Sequence, residues 1–459
     1  MSPEWAGQVR ESRSAQHTEG PGRGPFRERP VETRDSRARS MPHPNVSPTL
    51  PAQLTGSVDR HPGGVGLGDG WNRVAGVSDS SDFLVVGGGI AGAAAAYFLS
   101  ASGRVTLLEA EASVGMHATG RSAALYSEYF GGPAVRTLTT ASRAFYASHG
   151  TGTTPLLRPR GVLALGSPDT ADAFAQAHAA GALAERPVVE LTPDEAQRLC
   201  PVLRRDAFDR VLYKPGACDI DVDATHQLFL RGLRAGGGRV VTRAPVREST
   251  RVGGLWHVRT GGPHEAVYAA PVLVNAAGAW ADRVAQTAGV APAGLRSTRR
   301  TAALVTLPDP PGDPGPSAWP MVTDVADTFY AKPEAGGLLL SPCDSTPVAD
   351  PAGRVRADDL DVAIAVERFH AAVDLRIRGV GHTWAGLRTS VVDDTPVLGE
   401  DPAAPGFFWL AGLGGYGIQT APAVGALLAA LAAGNTPPAA TAPLTPALAP
   451  GRSLAAPVR

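Results

Sequence analysis

The 459-residue sequence predicts an α/β fold in which a dinucleotide-binding domain is assembled from discontinuous pieces, with an α+β domain containing an antiparallel sheet inserted between them. Three observations predict it. A short apolar run at 83–86 passes through a glycine-rich turn into an alanine-rich stretch, and a second apolar run follows at 105–108. Two later apolar runs, at 272–274 and 407–411, also end in small residues and glycine. Long stretches of different patterning separate these three pieces.

The first piece is the most informative. Phe83, Leu84, Val85 and Val86 are apolar without alternation, as in a parallel strand buried on both faces. Gly87, Gly89 and Gly92 then form G-x-G-x-x-G inside a Rossmann-type βαβ unit. The glycines serve the tight turn, the approach of a pyrophosphate and close helix–strand packing. The helix start, with Ile90 and Ala91, offers unpaired N–H groups and a positive dipole end to phosphate. Glu109 ends the second strand, twenty residues beyond Gly89, where an acid bonds both ribose hydroxyls of an adenosine. A nicotinamide enzyme would continue with further βαβ units. Here a small-residue loop follows instead: Thr119, Gly120, Arg121, Ser122, Ala123. The second strand-to-glycine transition runs through Ala277 and Gly278 to Trp280. The third runs through Gly414, Gly415, Tyr416, Gly417 and Ile418 into a short apolar helix at 421–433.

These pieces set the expected boundaries. The dinucleotide domain takes 81–147, 191–295 and 380–438; the inserted domain takes 150–190 and 296–375; a tail follows at 439–459. A proline-rich loop at 308–316 is expected to edge the mouth of the site. Residues 1–80 are rich in Pro, Gly, Ser and Arg and carry no apolar period. Such a segment cannot bury enough surface to offset its chain entropy, so disorder is expected, with the folded unit beginning at Asp82. It is either an interaction tail or an upstream extension of a chain whose start lies near Met41 or later.

Composition excludes several classes. A net charge of −1 gives no case for nucleic acid or an anionic membrane surface. Cys200, Cys218 and Cys343 lie far apart with no CxxC or Cys/His cluster, so neither a metal site nor a disulfide framework is expected. A reducing, cytoplasmic setting follows, with peripheral membrane association left open. No apolar run reaches the ~18 residues of a membrane span. Lys214 and Lys332 are the only lysines, which leaves lysine chemistry two candidates.

Residues 82–434 resemble the FAD-dependent D-amino-acid oxidase superfamily, which includes glycine and sarcosine oxidases. The likeness rests on 86–109, 117–131, 274–280 and 412–418, and the blocks 117–124, 201–206, 319–321 and 382–388 are similar to D-arginine dehydrogenase. It implies FAD lying extended, with adenosine on Glu109, pyrophosphate at 87–92, and the 119–124 loop along the isoalloxazine. Val246 would hold adenine through its backbone, unless it merely opens a strand. Ala277 and Gly278 would approach the pyrophosphate and ribityl chain, and 414–418 would present N–H groups to the reduced flavin. It also implies oxidation of a D-amino acid or related small amine, by hydride transfer to flavin N5, to an imine and then a keto acid.

Substrate capture needs a cation for a carboxylate. Arg388 follows Trp384, Ala385, Gly386 and Leu387, where an unpaired guanidinium is expensive to bury, so it needs an anion. The resemblance gives it the substrate carboxylate; a salt bridge to Asp393 or Asp394 is the competing reading. Tyr330 matches a second carboxylate ligand, against a core-facing tyrosine. Arg300 matches another pocket arginine, against a solvated charge. Tyr126 and Ser127 are candidates to hold an ordered water.

Departures from the resemblance carry information too. Sarcosine-oxidase relatives attach FAD through a cysteine in the segment matching 382–395; none stands here, so FAD is expected to be non-covalent. Those oxidases carry an oxygen-activating lysine where 337–340 has Gly and three leucines, which leans toward a dehydrogenase. The acceptor is left open among a quinone, a dye-like carrier and O2. Residues 158–162 offer no carboxylate for a basic substrate, and Leu125 and Phe130 look apolar, so a neutral or apolar substrate is expected. The rival readings are an N-methyl amine oxidase or hydroxy-acid dehydrogenase on the same scaffold, and a flavoprotein subunit without turnover.

Overall fold

The computed structural model describes residues 77–150, 154–308, 315–353 and 355–452. Its first sheet has six strands in the order Arg239–Val241, Val105–Leu108, Phe83–Val86, Val272–Asn275, Phe407–Ala411, Val397–Glu400. All neighbours pair in parallel except the last two, which are antiparallel. The three glycine-ended runs of the sequence thus lie side by side. Their apolar character has a cause: Phe83–Val86, Val105–Leu108 and Phe407–Ala411 are buried along their whole length.

The helix Ile90–Leu99 leaves the first strand and packs against the late helix Gly417–Ala432. Both are rich in alanine because their backbones nearly touch: a Cβ on Gly425 would stand 2.9 Å from the Ala94 carbonyl carbon. Gly92 is held more tightly, since a Cβ there would lie 1.9 Å from the Gly87 oxygen. No side chain fits that gap.

A second, mixed sheet roofs the first domain. Its strands run Thr346–Val348, Arg296–Thr306, Gly337–Ser341, Tyr330–Glu334, Met321–Asp324, Val162–Gly166, Arg210–Lys214, Val189–Leu191, with Gly379–Ser390 also paired antiparallel to Arg296–Thr306. The chain therefore has the expected class, a discontinuous Rossmann-type dinucleotide-binding domain with an inserted α+β domain built on a largely antiparallel sheet.

The boundaries differ from expectation in four places. Asp79–Ser80, assigned to the tail, pairs in parallel with Val267–Ala270, and Asp79 meets Arg239 in an ion pair. Arg210–Lys214 belongs to the roof rather than to the dinucleotide domain, as does Gly379–Ser390. The C-terminal stretch is anchored as well: Leu448 is buried in the main core, and Arg452 grips Asp393 with two bonds of 3.0 Å. Most of the 1–80 segment and positions 309–314 of the proline-rich loop lie outside the described residues. Among the described residues no helix is long and apolar enough to cross a membrane, and no cluster of metal-ligating side chains occurs.

Candidate active site

A cavity of about 590 Å³ opens along the carboxyl ends of the parallel strands, where open α/β sheets bind their ligands. Gly87, Gly89, Ile90, Ala91, Glu109, Thr119, Ser122, Val246, Ala277, Gly278 and Trp280 line it, with Arg388, Gly414, Gly415, Gly417 and Ile418. The glycine turn and Glu109 build one end together. The Glu109 carboxylate accepts the Gly88 amide at 2.7 Å and the Glu111 amide at 2.8 Å, one on each oxygen. Each oxygen keeps a lone pair for a ribose hydroxyl.

Thr119 is placed differently from expectation. Its hydroxyl accepts the Ile90 amide at 3.0 Å, so it caps the first helix at the phosphate mouth. Gly120, Arg121, Ala123 and Tyr416 do not line the cavity, and neither do Gly92, Arg300 and Tyr330. Gly120 closes the local turn by donating to the Gly115 carbonyl at 2.8 Å. Arg121 ties the loop to the roof, donating to the Ala385 carbonyl while Trp384 donates back to its own. His117 was missed as a lining residue: its ring lies 4.5 Å from Trp280 and its Nε2 is 3.0 Å from Glu111. Tyr126 and Ser127 do not line the cavity. Both are fully buried, and the Tyr126 hydroxyl donates to Glu128 at 2.7 Å.

The roof contributes Leu387, Arg388 and Thr389 to the wall. Residues opposite one another in a ladder share a face, as do residues two apart on one strand. Arg300 lies opposite Gly386, two residues from Arg388; Tyr330 lies opposite Ser341 and Thr323; Lys214 lies opposite Val162. Following these pairs across the sheet puts Arg388, Arg300, Tyr330 and Lys214 on one face. Gly415 makes room for the first of them, since a Cβ there would stand 3.0 Å from Arg388 Nε.

Among the described residues the Arg388 guanidinium has neither an ion pair nor a side-chain hydrogen bond. The carboxylates that could have neutralised it are taken: Asp393 by Arg452, and Asp394 by the Ser390 hydroxyl at 2.7 Å. Burial draws its pKa below the ordinary arginine value, opposed by Tyr330, with the like charge of Arg300 pulling the same way as burial. The Tyr330 phenol is pushed above its usual range, chiefly by burial. Arg300 buries its Nε without a partner. Lys332, by contrast, sits 2.8 Å from Glu334 and 3.3 Å from Asp219.

The residues fit FAD. Gly87, Gly88 and Gly92 have no space for a Cβ, so the turn keeps bare backbone beside the cavity, Glu109 offers acceptors to ribose, and the same cavity continues to Arg388. Comparison with known proteins agrees. Glycine oxidase of Geobacillus kaustophilus is 25% identical over 362 residues, 76% of this chain and 92% of its own. Its crystal structure superposes with a TM-score of 0.70 at 23% identity, covering 82% of this chain and all of that one. Rat mitochondrial dimethylglycine dehydrogenase is 27% identical over 280 residues, 58% of this chain. Bovine FAD-dependent oxidoreductase domain-containing protein 1 is 28% identical over 172 residues, 34% of this chain. The match spans about a third of the length of these last two, 31% and 35%. Residues 82–431, from the first strand of the parallel sheet to the end of the helix beside it, match the DAO family, described as FAD dependent oxidoreductase; the chain belongs to that family, and FAD is its cofactor.

Proposed function

We propose that this protein oxidises a small amino acid of D configuration, or a related amine, at the carbon bearing nitrogen. The product is an imine, which water hydrolyses to a keto acid and ammonia. The observation that carries this reading is the Arg388 guanidinium at the cavity wall, without a partner among the described residues: a half-buried, desolvated cation without an anion marks the place of a ligand's anion. Its planar fork suits a carboxylate. Tyr330, on the same face, can donate its hydroxyl to that carboxylate, because its raised pKa keeps the phenol protonated. Glycine oxidase and dimethylglycine dehydrogenase, by name, act on small carboxylate-bearing amines, which supports the assignment.

Two-electron chemistry is supplied by FAD when bound. The chain's own groups bind, orient and dry the substrate. Arg388 and Tyr330 fix the carboxylate, and thereby the direction in which the α-hydrogen points. Leu387, next to the arginine on its strand, lines the same cavity and adds apolar surface to it. The substrate amine must be neutral for its lone pair to assist loss of the α-hydrogen with its bonding electrons. Lys332, held by two carboxylates, is a poor promoter of oxygen attack, which favours a carrier acceptor over O2. Anaerobic flavin bleaching across D- and L-amino acids, N-methyl amines and hydroxy acids tests the reading. Bleaching by D-amino acids is expected. Bleaching confined to N-methyl amines or hydroxy acids overturns it, and no bleaching at all points to a subunit without turnover.

A further inference from the structure

The roof carries more positive charge than one carboxylate can use. Beyond Arg388 and Arg300 stands Lys214, 5% exposed, with no ion pair among the described residues. Its ammonium rests 4.1 Å from the centre of the Phe130 ring, a weak partner for a buried cation. The residue after Phe130, Gly131, faces Tyr416, with a Cβ there 3.4 Å from Tyr416 Cζ, and Tyr416 lies within the field of Arg388 and Arg300.

One carboxylate bears on Lys214, that of Asp327, at the turn between Met321–Asp324 and Tyr330–Glu334. The pair does not satisfy itself. Burial lowers the Lys214 pKa to about 8 in spite of Asp327, and burial raises that of Asp327 in spite of Lys214 and Arg300. A formed ion pair would favour the charged form of both partners. Lys332, on the same face, is neutralised by Glu334 and Asp219; counting the remaining Arg388, Arg300 and Lys214 against Asp327 leaves an excess of positive charge even with Asp327 ionised. A substrate with one carboxylate and a neutral amine leaves part of that excess uncompensated.

From this geometry we infer that Lys214 is a specificity-determining residue, which binds a second acidic group at the end of the substrate's side chain. The inference rests on the amino-acid reading above and narrows it from a neutral or apolar substrate to an acidic one. Lys214 lies three strands from Tyr330 across the sheet, about 14 Å if flat at ~4.8 Å per strand. The second acid must stand several bonds from the α-carbon, as in 2-aminoadipate.

The test uses the holoenzyme and the Lys214→Met variant, with D-2-aminoadipate, its uncharged counterpart D-norleucine, and adipate as a ligand that cannot react. Wild-type enzyme should reduce with aminoadipate in preference to norleucine by at least about tenfold in kcat/KM, one unit of 1.4 kcal/mol. Lys214→Met should lose on the order of a hundredfold on aminoadipate, with norleucine changed less than about threefold. Adipate should perturb the flavin spectrum of the wild type and not of the variant. Equal or better turnover of norleucine by wild-type enzyme overturns the inference, and so does an equal loss on both substrates. If no amino acid reduces the flavin, the proposed function fails; adipate binding that depends on Lys214 would still support the anion site, and its absence would sink that too.

Discussion

Replacing Arg388 by methionine separates a ligand's partner from a structural charge. Methionine keeps much of the apolar stem and fits the space cleared by Gly415, where a Cβ would lie 3.2 Å from Arg388 Cδ. Removing one member of a desolvated pair strands the other, at a cost of about 3–5 kcal/mol. That is a fall in kcat/KM on the order of a hundred- to a few thousand-fold. Flavin reduction at saturating substrate should slow as well, because the carboxylate also aims the α-hydrogen. Stability should move the other way. The free enzyme partly desolvates a guanidinium without an anion among the described residues, so methionine should raise Tm. FAD content should be unchanged, since Arg388 is remote from the 87–92 turn and Glu109 in the sequence and forms a different part of the wall. The assays are stopped-flow reduction, thermal melting and the flavin-to-protein absorbance ratio. Near-normal kcat/KM on the best amino acid, or a variant that melts well below wild type, would refute the reasoning. Full activity retained only on a carboxylate-free amine would replace the amino-acid reading with an amine-oxidase one.

Acid precipitation should release the flavin into the supernatant, because no cysteine lines the cavity; flavin left in the pellet would direct attention to His117, a nucleophilic side chain that does line it. Truncation just before Val77 and truncation after Ser80 should differ: the second removes the strand Asp79–Ser80 and its link to Arg239, and should melt at the lower temperature. Equal Tm values would show that the strand adds nothing. Lys214→Met should be more stable than wild type at pH 7, by an amount on the order of 3 kcal/mol if the full depression to about 8 is felt. The sign of its pH dependence is fixed: above about pH 8 the folded wild type sheds a proton that the unfolded chain keeps to about 10.5. Wild-type stability therefore gains on the variant across that window, and a difference in Tm that grows with pH would contradict the assignment.

The dinucleotide half of the fold was legible because its signals are local. Four apolar residues, a turn that only glycine can make and an acid at a fixed distance are written within one βαβ unit, and 83–109 folds accordingly. The roof was less legible because its strands are defined by partners far away in sequence. Arg210–Lys214 carries no clean alternation and pairs with Val162–Gly166 and Val189–Leu191, so nothing nearby assigns it to one domain or the other. Gly379–Ser390 is continuous in sequence with the segment that returns to the parallel sheet, yet it pairs along its length with Arg296–Thr306. Asp79–Ser80 is two polar residues at a sheet edge, too short for any pattern. Tyr126 followed a loop expected at the flavin, and only the tertiary structure turns it inward onto Glu128.

The same contrast orders the site chemistry. Arg388 could be singled out from sequence because its neighbours are apolar and a lone charge among them demands an anion. Lys214 gave a similar signal, a charge after Val211, Leu212 and Tyr213 in a chain with two lysines, but the domain it belonged to was misplaced. Only the sheet register brings it to the face that carries Arg388, Arg300 and Tyr330. Buried cations without anions lower stability, and methionine or leucine would fill either position at no such cost. Local rules broken in this way mark functional sites when several breaches converge. Here the guanidinium and the lysine, each without an ion pair among the described residues, and the orphaned Arg300 Nε share one face of one sheet. What they lack in common is negative charge, and a substrate with two acidic groups supplies it.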